Sequence, residues 1–202
     1  MGNPSYVSVS GGIAVGKTTL TSHLASVLPA CQAFFEHPGR NPYLADFYND
    51  MKRWAFHSRI GMLAMFTSHY KEFDNSNSVI LLDRCVHELI AFATLHLDRG
   101  NLSAQEFATY RMLYDAFVAL APPLDVVVYL NCSPAVAMQR IAQRDRLFER
   151  AVTASYVLAV EQYYEEWLAA LPASVTVLRY NTDSGVIGLA AEEDLRKWLE
   201  HK

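Results

Sequence analysis

The sequence predicts an α/β domain of three layers, with a five-stranded parallel sheet between helices. Short apolar runs rich in β-branched or aromatic residues alternate with longer stretches of helical period. The first run leads straight into "GGIAVGKT", Gly11 to Thr18, a glycine turn placed between a strand and a helix. The length of 202 residues, 51% hydrophobic and 19% charged, suits a single domain over 1–202 with an ample core.

The elements follow in order. "YVSVS" gives a strand over Tyr6–Ser10, and a helix over Lys17–Leu28 follows the glycine turn. "AFFE", Ala33–Glu36, is the shortest strand signal. A helix spans roughly Met51–Phe73. "VILLD", Val79–Asp83, is an apolar strand of the kind covered on both faces. Helices over Val86–Asp98 and Ala104–Leu120 precede the strand Val126–Leu130, "VVVYL". Ser133 is placed to cap a helix that has Pro134 in its first turn. That helix runs over Pro134–Leu171, interrupted near Asp145–Val152, and the last strand is Val175–Tyr180. Polar residues gather where the strands end: Ser10-Gly11, Glu36, Asp83-Arg84, and Asn181 with Asp183. In open parallel sheets that carboxyl edge is where ligands bind.

Several classes are disfavoured. A net charge of −4 with a pI near 6.0 does not suit a nucleic-acid coat. Cys31, Cys85 and Cys132 have neither zinc nor redox spacing and fit a reducing cytoplasm. "HELIA" begins like a zinc helix, but position 91 is Ala. "MGNPSY" has no leader or myristoylation pattern, and the longest apolar stretch is broken by Pro122, Pro123 and Asp125, so no membrane span is expected.

"GGIAVGKT" satisfies G-x-x-x-x-G-K-[ST], which specifies a P-loop nucleoside-triphosphate-hydrolase-like fold. Glycines let the loop fold back with N–H groups inward, and the following helix adds its positive dipole end. Gly11, Gly12, Ala14, Gly16, Lys17, Thr18 and Thr19 are therefore expected to cradle a triphosphate. Lys17 reaches the β- and γ-phosphates and the Thr18 hydroxyl ligates Mg²⁺. Asp83, ending a strand beside this loop, is expected near the metal; a helix cap or a partner for Arg84 is the alternative. "MQRIAQRDRLFER" carries Arg140, Arg144, Arg146 and Arg150; it reads as a cationic lid, or as a solvated face paired with Asp145 and Glu149. Glu36 is placed to take a proton from an acceptor hydroxyl, or is a surface acid. The aromatics Trp54, Phe56, Phe66, Tyr70 and Phe73 either fill the core or line a pocket for a flat ring.

In order, "EHPGRNPYLADFYND", "RWAF", "DRC", "YRMLYDAF" and "RIAQRDRLFER" make the chain resemble the deoxynucleoside kinase family, in its bacterial deoxyadenosine/deoxyguanosine kinase branch especially. The likeness runs from Tyr6 to about Asp183. It implies that Glu36 is the general base on the nucleoside 5′-hydroxyl, although His37 stands where the family has proline. It implies that Arg84 holds the 5′-oxygen and the transferring phosphate, that Tyr48 and Glu149 bind the sugar 3′-hydroxyl, and that Arg140, Arg144 and Arg146 form the lid. The "YNTD" segment, ending at Asp183, is similar to the loop bordering the adenine of ATP. Arg59, Met62, Phe66 and Phe92 fall in the base pocket.

Two departures concern that pocket. Counting from Trp54, the family's base-reading glutamine falls on Arg59, which offers donors only. Either Arg59 faces a base edge with two acceptors, or the helix is shifted and His57 reads the base, or Arg59 is an ion-pair residue away from ligand. "DRCVHELIAFA" is also one residue shorter than the usual spacing from Arg84 to Phe92. The expectation is therefore a kinase that phosphorylates the 5′-hydroxyl of a (deoxy)nucleoside with ATP and Mg²⁺, acting as a cytoplasmic homodimer with no nucleic-acid or membrane partner. A kinase of another small metabolite, or a regulatory subunit that binds nucleotide without turnover, is the alternative.

Overall fold

The computed structural model describes residues 4–185 and 187–201. Residues 1–3, part of the stretch read for leader signals, lie outside them. β1 (Ser5–Gly11), β2 (Cys31–Phe34), β3 (Val79–Asp83), β4 (Val126–Asn131) and β5 (Thr176–Asn181) form one sheet in the order β2-β3-β1-β4-β5. Every neighbouring pair is parallel. The α/β class and the five parallel strands agree with the sequence. β1, β3 and β4 read as apolar runs because they are central: Val7, Val9, Ile80, Leu81 and Val126 to Val128 are fully enclosed.

The helices are α1 (Lys17–Val27), α2 (Leu44–Asn49), α3 (Met51–Ser68), α4 (Leu89–Asp98), α5 (Ala104–Leu120), α6 (Pro134–Arg144), α7 (Ala154–Ala169) and α8 (Gly188–Glu200). Side-chain caps fix several boundaries. Asp50 accepts from the Arg53 amide at 3.1 Å to start α3. Ser103 and Glu106 form a reciprocal capping box at α5. Ser133 caps α6, with Pro134 in its first turn, as expected.

Other boundaries move. β2 ends at Phe34, where its pairing with β3 at Leu82 ends, so Glu36 sits two residues beyond the strand. The helix expected to reach Phe73 stops at Ser68 and tightens into a 3₁₀ turn, His69–Glu72. Thr67 and Ser68 there bond back to carbonyls of the preceding turn, which competes with the helical ladder. The helix expected from Val86 opens as a 3₁₀ turn, Val86–Glu88, because Arg84 stands at φ 70 and Cys85 is extended. The long segment after Pro134 breaks at Asp145, φ 43, and resumes at Ala154. α2 and α8 were not anticipated from the sequence.

Packing divides into two apolar clusters. One surrounds the sheet and includes Val9, Leu24, Leu81, Val128 and Leu195. The other, with Phe47, Leu63, Leu89 and Tyr110, joins α2, α3, α4 and α5. The second cluster forms a wall beyond the carboxyl edge of β3, and the cleft lies between that wall and the glycine turn.

Candidate active site

A cleft of about 1310 Å³ opens at the carboxyl edge of the sheet. Its first side is the turn after β1. Gly11 is at φ 142, and a Cβ there would lie 2.2 Å from the Leu130 carbonyl oxygen, so only glycine fits. Gly16, at φ 97, turns the chain directly into α1, whose first-turn amides have no helical partners. Ala14 also takes a left-handed conformation, φ 61, in the middle of the turn. Ala14, Gly16, Lys17, Thr18 and Thr19 line the cleft; Gly11, Gly12 and Asp83 do not, although Gly12 and Asp83 bond the lining residues Lys17 and Thr18.

Lys17 is buried, and its Nζ donates to the Gly12 carbonyl at 2.5 Å. Burial, then the nearby Arg84 guanidinium, lower its amine to about 8. Thr18 Oγ1 donates to Asp83 Oδ2 at 2.6 Å. Asp83 Oδ1 is buried without a partner, and burial raises the carboxyl above its ordinary value. A hydroxyl beside a carboxylate with an unmatched oxygen is the donor set that suits a hydrated divalent cation. Among the described residues no group of three or more His, Cys, Asp or Glu forms a metal cage of its own. The oxygens thus fit Mg²⁺ delivered with a phosphate chain.

Arg84, left-handed at the end of β3, is the centre of the site. Its Nε donates to Glu36 Oε2 at 2.8 Å and one Nη donates to Glu88 Oε1 at 2.6 Å. The same Nη donates to the Tyr164 hydroxyl, which in turn donates to Glu88. The other Nη donates to the Gly12 carbonyl at 3.3 Å. Burial alone would lower Arg84, but Tyr164, Glu36 and Glu88 offset it, and the guanidinium is held well above its ordinary value. The carbonyl that holds Lys17 also holds Arg84, which joins Glu36 to the glycine turn.

Tyr48 and Glu149 both line the cleft, where Tyr48 stacks with Phe148 at 6.2 Å. Burial, then Tyr156, raise the Tyr48 phenol. Arg144 grips Glu149 through two bonds, 2.5 and 2.7 Å, and Arg146 lies 3.6 Å from the same carboxylate. Arg140 donates to the Ala14 carbonyl at 3.2 Å and to Thr182. The three expected lid arginines therefore line one cleft with different partners. Arg150 pairs with Asp145 in solvent, as a solvated face would.

At the far end Arg59, Met62 and Phe92 line the cleft. Phe66 does not: its ring is packed within the second apolar cluster, since it lies a full turn beyond Met62. Asp183 is likewise outside the lining. Its carboxylate accepts from the Ser133 amide at 2.7 Å, and the neighbouring Thr182 and Gly185 face the cleft instead. His57 is exposed among Tyr43, Trp54 and Phe56 and does not line the cleft. Arg59 takes part in no ion pair among the described residues. Arg59 thus lines the cleft without an ion pair, and His57 stands outside the lining.

Sequence reasoning missed Glu88 and Tyr164. Glu88 stands four residues after Arg84, a spacing that signals a partner on one helical face. Tyr164 lies 80 residues from Arg84 and carries no local signal.

A family model described as deoxynucleoside kinase matches residues 7–198. The chain is 34% identical over 172 residues to the deoxyadenosine/deoxycytidine kinase of Bacillus subtilis (strain 168), covering 84% of this chain and 79% of the relative. It is 29% identical over 208 residues to the deoxyadenosine kinase of Lactobacillus acidophilus, covering 97% and 95%. It also resembles, at 25% identity over 196 residues covering 91% and 89%, the deoxyguanosine kinase of Bacillus subtilis. In structure it is similar to the deoxyadenosine kinase from M. mycoides with dCMP and dCDP bound, at a TM-score of 0.80 and 23% identity, covering 97% of this chain and 98% of that one.

Proposed function

Because the chain belongs to the deoxynucleoside kinase family, we propose that it transfers the γ-phosphoryl group of ATP, or of another nucleoside triphosphate, to the 5′-hydroxyl of a deoxynucleoside. Glu36 takes the hydroxyl proton as the oxygen attacks the γ-phosphorus, the bond to the β,γ-bridging oxygen breaks, and the nucleoside diphosphate leaves. Arg84 orients the attacking oxygen. The turn from Gly11 to Thr19, with Lys17, holds the phosphate chain. Thr18 and Asp83 would hold Mg²⁺, which when bound would neutralise phosphate charge.

Tyr48 and Glu149 hold the sugar, and Arg59, Met62 and Phe92 surround the base. The segment from Arg140 to about Val152 acts as a lid. Within it Arg144 fixes Glu149, while Arg146, with 43% of its side chain exposed and only a 3.6 Å pairing, has the freedom to meet the transferring phosphate. Arg140 joins the phosphate loop to the strand bordering the donor's base. The single domain works as a homodimer in the cytoplasm, and the exposed Met112 and Leu120 of α5 supply apolar surface for helix pairing.

What carries the proposal is the 2.8 Å bond between Glu36 and Arg84 beside the carbonyl that also holds Lys17. A base, an orienting cation and a phosphate cradle within one hydrogen-bonded set match in-line transfer to an alcohol and serve no purpose in a subunit that only binds nucleotide. Incubation of the protein with Mg²⁺–ATP and each natural nucleoside is expected to give a 5′-monophosphate and ADP from at least one deoxynucleoside. ATP binding with no monophosphate from any of them would reject the proposal.

A further inference from the structure

Arg59 is a buried cation with an unusual set of neighbours. It is 5% exposed, yet no carboxylate pairs with it among the described residues. Its guanidinium carbon lies 5.1 Å from the Phe47 ring centroid and 5.2 Å from that of Phe92, so aromatic rings flank it. Its hydrogen-bonding capacity lies in the guanidinium plane and is little used. One Nη donates to Ser58 Oγ at 3.3 Å, and Nε is buried with no partner. A buried donor left unmatched is destabilising, and this one belongs to a side chain that lines the cleft beyond the sugar residues.

We infer that Arg59 selects the base, and that the nucleoside accepted is one whose base presents two adjacent acceptors. The inference rests on the kinase reading above and adds the substrate class to it. Guanidinium offers donors only. Guanine and hypoxanthine present O6 beside N7, and cytosine presents O2 beside N3, so each meets two parallel N–H groups. Adenine places its N6 amino group beside both N7 and N1, and thymine places N3–H between its carbonyls. Each would set a donor against the guanidinium and leave Arg59 as unmatched as before. The substrate is therefore a 6-oxopurine or a cytosine nucleoside. This departs from carrying adenine over from those relatives that are named deoxyadenosine kinases.

The test measures nucleoside binding by calorimetry and phosphorylation by product formation, on the wild-type protein and on Arg59→Gln. Deoxyguanosine or deoxycytidine is expected to bind and react at least about tenfold better than deoxyadenosine and thymidine, within the discrimination of a bidentate pair. The two sources separate by analogue. If guanine is read, 7-deaza-deoxyguanosine loses about tenfold, and if cytosine is read, 3-deaza-deoxycytidine does. Arg59→Gln, offering one donor and one acceptor, is expected to shift the ranking about tenfold toward deoxyadenosine. Deoxyadenosine bound as well as the others by wild type, or a ranking unmoved in folded Arg59→Gln, overturns the inference. The wild-type analogue comparison decides it even if the variant does not fold. Ranked binding with no monophosphate formed would overturn the kinase reading and leave the role of Arg59 standing.

Discussion

Arg84 is held by four acceptors, two of them carboxylates, and this fixes what it can do. Glu88 and Tyr164 hold one Nη from behind, so the guanidinium has anchors that do not depend on Glu36. Its left-handed φ of 70 aims the side chain across the edge of β3, a strained placement that the surrounding bonds sustain. Burial and Arg84 lower the Lys17 amine to about 8, and a bound triphosphate favours the ammonium form again. Binding of ATP near pH 8 is therefore expected to take up about half a proton. Calorimetry in buffers of different ionisation enthalpy checks this, and a buffer-independent enthalpy would contradict it. Lys17 was legible in the sequence because the glycine turn marks it, and Arg84 because it follows the apolar run of β3; Glu36 was read at a strand end that the structure places two residues earlier. Tyr164 was not legible, because only the packing of α7 against the sheet brings it to Arg84.

The proposed lid takes in the end of α6 and the connection to α7. α6 ends at Arg144 and α7 begins at Ala154, so Arg144, Arg146 and Glu149 fall at or within one short connection that lines the cleft. Sequence spacing placed the three expected lid arginines together but gave them one role. The structure gives them different partners, with Arg144 committed to Glu149 and Arg140 to Thr182. Arg146→Ala is expected to lower kcat at least roughly tenfold while the nucleoside KM changes little, as for a cation felt mainly in the transition state. Arg144→Ala is expected to raise the nucleoside KM severalfold by releasing Glu149. The reverse pattern in steady-state kinetics would exchange the two roles. The strands were legible because central parallel strands are apolar throughout. α2 was hidden because six residues are too few to show a helical period. The end of β2 was misplaced because apolar "AFFE" continues past its last partner in β3.

For the whole molecule, two apolar clusters share one cleft, and the buried His96 lies where the second cluster meets α7. It bonds Tyr156 at 3.1 Å and Asn101 at 3.1 Å. Burial, then Arg59 and Arg99, push its imidazole down to about 2. The unfolded chain binds that proton near 6.5, so this stability is complete above about pH 6.5 and is lost as pH falls. The loss is roughly 2 kcal/mol on reaching about pH 5. His96→Gln is expected to have a lower Tm at pH 7 but a shallower fall toward pH 5, and an unchanged slope in thermal unfolding would contradict it. Glu36, the proposed base, is tied through Arg84 to the glycine turn and follows a strand that ends two residues earlier. The direct measurement is phosphoryl transfer from ATP by Glu36→Gln, with ATP binding followed in parallel. Turnover at least roughly a hundredfold below wild type with ATP affinity retained is the predicted result. Turnover near wild type would contradict it.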